Sequence, residues 1–143
     1  MNKKNSVNFA ICILSLLFVG LACSVFTEGK AAGEKGVAAF HSQMNAGKFD
    51  EIYNNATKEF QASDRKETII NFLKLVREKL GTVKNSSSQS WNVNKNTAGS
   101  FVTLVYQTEF EQDSAVTETF IFVLEGENAK LHNYKVNSKR LMD

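Results

Sequence analysis

The stretch Phe101-Val102-Thr103-Leu104-Val105-Tyr106-Gln107-Thr108-Glu109-Phe110 decides the reading of this 143-residue chain. Val102, Leu104, Tyr106, Thr108 and Phe110 fall on one side of an extended backbone, with Thr103, Gln107 and Glu109 on the other. Side chains alternate across a strand, so the pattern predicts a β-strand with one face on a core. Downstream, residues 116–124 form another strand with Phe120, Phe122 and Leu124 on one face. Glu125-Gly126-Glu127-Asn128 offers a tight turn in which Gly126 can take positive φ, and residues 130–136 return as a further strand. Upstream, Trp91 and Val93 follow the polar run Asn85 to Ser90, which reads either as a strand face or as a loop.

Before Thr82 the apolar period is helical. Residues 64–81 predict the third helix. Asp64 and Glu67 have the form of an N-terminal cap, Ile69, Ile70, Phe72, Leu73, Val76 and Leu80 make an apolar face, and Gly81 suits the left-handed residue that ends a helix. Phe49, Ile52, Tyr53 and Ala56 repeat at i, i+3, i+4 and i+7, a second short helix. Val37, Phe40 and Met44 predict a first helix, stopped by Asn45-Ala46-Gly47. Short connections make neighbouring strands antiparallel. The expected fold class is α+β: three N-terminal helices packed on a curved four-stranded antiparallel sheet, one domain over residues 37–143.

The N-terminus speaks to location. Lys3 and Lys4 precede a 14-residue apolar run, Phe9 to Ala22, interrupted only by Ser15 and Gly20. That is the anatomy of a signal peptide, and it is short of the roughly 20 apolar residues a spanning helix needs. The run ends Val19-Gly20-Leu21-Ala22-Cys23-Ser24, which resembles the lipobox of bacterial lipoproteins, although Gly20 stands where leucine is commonest. The resemblance implies a signal peptide over residues 1–22, lipid attachment at Cys23, and attachment to the outer membrane facing the periplasm, because Ser24 and not aspartate follows the cysteine. Several acyl chains on one residue hold a protein durably where one does so only marginally. Residues 23–36, with Gly29, Gly33 and Gly36, are expected to form a lipidated tether.

Composition narrows the function. A chain that is 43% hydrophobic and 22% charged with no proline suits a globular domain. Loss of Lys3 and Lys4 with the leader leaves 15 basic against 15 acidic side chains, interspersed, so no basic stripe serves nucleic acid. Cys12 departs with the leader, and a mature chain with Cys23 alone forms no internal disulfide or cysteine zinc cluster. Ser86, Ser87, Ser88 and Ser90 lack a nucleophile elbow, and no phosphate-cradling glycine loop is present.

The order of three helices then four strands resembles the nuclear-transport-factor-2-like or cystatin-like architecture. The phrases carrying the resemblance run from Phe40 to Asp50 with Tyr53, from Leu75 to Gly81, and from Leu131 to Val136, within about residues 34–137. They are similar to small bacterial secreted or lipid-anchored domains of unknown function in that superfamily. The resemblance implies a cone-shaped pocket, with His41, Tyr53, Trp91, Tyr106 and Tyr134 as candidate lining residues and His132 beside them on the last strand. His41 could shuttle protons near neutral pH. However, the apolar faces of the second and third helices carry no acid to work with it. Glu109, Glu111, Asp113 and Glu118 cluster near the turn between the second and third strands and read as a solvated acidic edge, with a calcium site or a partner patch as rivals.

The expectation is a lipid-anchored periplasmic or cell-surface binding domain without catalytic activity, metal or cofactor. Its partner would be another protein or a small apolar ligand, and a sheet face bearing Trp91, Phe101 or Val105 is a candidate homodimer contact. The alternative is a small isomerase or hydrolase using His41 or Tyr53.

Overall fold

The computed structural model describes residues 27–142; the leader, Cys12, Cys23 and the first residues of the expected tether lie outside the described residues. Residues 27–45 are helical (α1), followed by α2 (Phe49–Asn55), α3 (Lys58–Ala62) and α4 (Lys66–Leu80). The strands are β1 (Val83–Asn96), β2 (Gly99–Phe110), β3 (Val116–Glu125) and β4 (Asn128–Asn137), and a short 3-10 turn spans Lys139–Leu141. The sheet is open, its order is β1-β2-β3-β4, and all three pairings are antiparallel. The class is α+β as the patterning indicates, with four helices among the described residues where three were expected.

The largest correction concerns the tether. Residues 27–36 belong to α1, and the buried positions Gly29, Ala32, Gly33, Val37, Phe40, His41 and Met44 repeat at helical spacing. The glycines act by close approach, not by loosening the chain. A Cβ on Gly33 would stand 2.6 Å from Leu104 Cδ1 and 2.8 Å from Val102 Cγ1, and one on Gly36 would stand 2.7 Å from Phe122 Cε1. Contact with three strands thus offsets the roughly 1 kcal/mol that glycine costs inside a helix.

The expected cap of α4 also fails. Arg65 occupies the capping position without a side-chain bond, and Asp64, one residue too early, accepts from the adjacent Arg65 N–H at 2.6 Å. Ile69, Ile70, Leu73, Val76 and Leu80 face inward as expected, but Phe72 is 40% exposed. Gly81 ends the helix at φ +81°. The unforeseen α3 is capped by Thr57, whose Oγ1 accepts from Phe60 N–H at 3.2 Å. Gln61 Nε2 then donates to the carbonyls of Tyr53, Asn54 and Ala56 at the end of α2.

The polar run Asn85 to Ser90 is a strand. It belongs to edge strand β1, and its pairing to β2 shifts register between Val83 and Asn85 and again between Ser88 and Ser90. Polar side chains and irregular register blunt an edge that would otherwise invite further strands. Between helices and sheet, Leu73, Val76, Leu80, Val102, Leu104, Val116 and Phe120 are fully buried, each worth about 1.5–3 kcal/mol of transfer from water.

Gly36→Ala should lower stability by about 1–3 kcal/mol, since overpacking against the Phe122 ring outweighs alanine's helix advantage. Urea unfolding checks this; an unchanged or higher midpoint would mean that α1 does not press on the sheet.

Candidate functional site

Along β3, Val116, Glu118, Phe120 and Phe122 share the helix-covered face, which carries Glu118 to a fully buried position. Burying a carboxylate is costly unless its oxygens are paired. Here Thr108 Oγ1 donates to Oε2 at 2.6 Å, Tyr134 OH donates to Oε1 at 2.7 Å, and His41 Nε2 lies 2.7 Å from Oε2. A carboxylate only accepts, so the imidazole completes the set by carrying its proton on Nε2. His41 Nδ1 bonds to no described residue.

Aromatic rings enclose this group. Phe40 lies 5.2 Å from Phe120 and 4.6 Å from Tyr134 between ring centroids, and His41 packs edge-on at 5.7 Å against Phe120. Burial, and then the neighbouring charge of Glu118, push the Tyr134 phenol well above its ordinary range. Tyr106, 6.5 Å from the His41 ring, is raised by burial first and by Glu34 second. No buried polar side-chain atom among the described residues lacks a partner.

Of the five expected lining residues, the structure brings His41, Tyr106 and Tyr134 together and keeps two apart. Tyr53 donates its hydroxyl to Gln61 O at 3.2 Å, with Lys66 5.3 Å above its ring. Trp91 pairs in register with Leu104, yet it is 42% exposed, with Lys30 5.7 Å from its ring centroid.

The acidic edge dissolves into four separate roles. Of the four, Glu118 is the buried acceptor, and Glu109 alone is exposed with no partner among the described residues. Glu111 accepts from Thr82 N–H at 2.8 Å, the first cause of its lowered pKa. Asp113 accepts from Ser138 OH at 2.5 Å and from Ala115 N–H at 3.0 Å, and the serine bond leads in holding its carboxyl below the ordinary range. Among the described residues no three His, Cys, Asp or Glu side chains are grouped to hold a metal ion.

His132 sits where the alternation of β4 breaks. Phe122 pairs with Leu131 and Ile121 with Asn133, so His132 is an extra residue, and both Leu131 and Tyr134 point inward. A bulge of this kind re-aims a side chain. The His132 ring packs 5.4 Å from Phe101, and its Nδ1 lies 3.2 Å from Thr57 Oγ1. It lines an open groove of about 890 Å³ between the α2–α3 corner and the sheet, together with Asn54, Asn55, Glu59 and Phe101.

Residues 37–134 match the DUF4019 family, described as proteins of unknown function, and the chain belongs to that family. A search of curated proteins finds none that matches.

Glu118→Ala should cost about 3–5 kcal/mol in urea unfolding, because it strands three buried donors. Tyrosinate absorbance in alkaline titration should show Tyr134 ionising only as the protein unfolds: its raised pKa makes the neutral phenol a source of stability that fades as pH climbs past the unfolded value. Tyr134→Phe should delete that last step. For Asp113 the sign is opposite. Its depressed pKa stabilises above the unfolded value and is lost in acid, so Ser138→Ala should cost more at neutral pH than at low pH.

Proposed function

We propose that this DUF4019 member is a lipid-anchored binding domain of the bacterial envelope, carrying no chemistry of its own. One contrast carries this reading. The inward polar groups are spent on one another around Glu118, whereas a groove opens outward beside His132 and carries at its rim Asn54, Asn55 and Glu59, whose side chains bond to no described residue. Saturated buried networks rigidify a core. Open grooves with unspent polar groups take ligands.

Anchoring rests on the lipobox-like Leu21-Ala22-Cys23 after the apolar leader. Among the described residues no helix is long and apolar enough to cross a membrane. The nuclear-transport-factor-2-like or cystatin-like relationship remains our reading of the helix-then-meander order. Between helices and sheet the interior is packed with aromatic and aliphatic side chains.

A second reading, a small isomerase or hydrolase, has one observation in its favour. The His41–Glu118 pair leaves Nδ1 of the imidazole with no partner among the described residues, an arrangement that could orient a base. Tyr53, the other residue of that reading, donates its hydroxyl to Gln61 O.

Mass spectrometry of native material should find acylated Cys23 at the mature N-terminus, and Cys23→Ser should block processing. An intact Met1 or a bare thiol at Cys23 would defeat the anchor. Turnover of any substrate abolished by His41→Asn in a folded protein would favour the enzyme instead.

A further inference from the structure

We infer that the groove beside His132 binds a neutral saccharide. The inference rests on the reading of this chain as a binding domain and names the chemistry of its ligand.

Phe101 contributes an aromatic surface, and small apolar residues, Ala98 and Ala129, leave room beside it. The negative face of such a ring suits the C–H face of a pyranose. The bulge in β4 swings His132 into the same groove, where Thr57 and Phe101 hold the ring and Nε2 bonds to no described residue. Asn54, Asn55 and Glu59 are exposed at the rim, and their side chains likewise bond to no described residue. Planar amides and a carboxylate supply paired donors and acceptors at the spacing of adjacent hydroxyl groups. An apolar occupant would leave those groups dry and unpaired, which is unfavourable.

Charge excludes the anionic alternatives. Lys130 is paired with Glu125 at 3.0 Å, Lys58 donates to Gln61 Oε1 at 3.2 Å, and Glu59 offsets the latter cation. The lining therefore has no excess positive charge for a phosphate. A peptide adding to the β4 edge meets another obstacle, because Thr57 N–H already occupies Leu131 O at 2.9 Å. The volume of about 890 Å³ is within the usual range of ligand sites.

The test uses the full processed protein in detergent micelles, with chitotetraose and maltotetraose as probes, read by saturation-transfer NMR and calorimetry. At least one sugar should bind at millimolar concentration or better. Asn55→Ala and His132→Ala should each weaken it about tenfold, roughly one hydrogen bond's worth, while Trp91→Ala, outside the groove, leaves it unchanged. Both substituted side chains are at least partly exposed, and unchanged circular dichroism confirms the fold of each variant. No saturation of either sugar, or saturation unaffected by both groove variants, overturns the saccharide assignment. If Cys23 is acylated in that same preparation, the anchored reading survives such a failure; a bare thiol with sugar binding intact sinks the anchor and upholds the groove.

Discussion

The fold closes around a single buried anion. Glu118 extends from β3 into the space between helices and sheet, where its oxygens gather a hydroxyl from β2, a phenol from β4 and an imidazole from α1. An ionised carboxylate in such a place is a liability unless every partner arrives in the right geometry. The packing therefore fixes more than apolar contact would: the register of three strands and the rotation of α1 about its axis must all agree for the set to close. Phe40, Phe120 and Tyr134, in mutual ring contact, exclude the water that would otherwise compete.

Much of this was legible from residue patterns. Strict alternation over 101–110 and the apolar face of 69–80 indicated correct elements because burial on one side imposes the period directly. Glu118 was misread for an instructive reason. Its nearness in sequence to Glu109, Glu111 and Asp113 suggested a solvated cluster, yet its parity with Phe120 and Phe122 placed it on the inner face. Parity along a strand is the stronger signal, since the backbone enforces it whatever the side chain prefers. Residues 27–36 misled through composition: Gly29, Gly33 and Gly36 lie on one stripe with Ala32, and small residues at helical spacing describe a helix pressed close to its neighbour as well as they describe a loose chain. The bulge at His132 left no local trace, because it depends on how β4 meets β3.

Inner and outer polar groups thus serve different ends. No fully buried polar side-chain atom among the described residues lacks a partner, and the two helix corners are stapled by Gln61 and by Asn45, whose side chain bonds both backbone groups of Val83. The outer surface keeps its unspent amides on α2, beside the exposed end of the sheet. Rigid elements carrying adaptable polar groups are how a small scaffold presents a site without moving to form it.

The length of α1 bears on how far such a site can roam. Four peptide units separate Cys23 from residue 27, and a fully stretched chain covers at most about 14 Å over them. With acyl chains at Cys23, the domain would ride close against the bilayer on a short leash, sweeping a thin layer of the envelope. Whatever occupies its groove would have to come down to the lipid surface to be met.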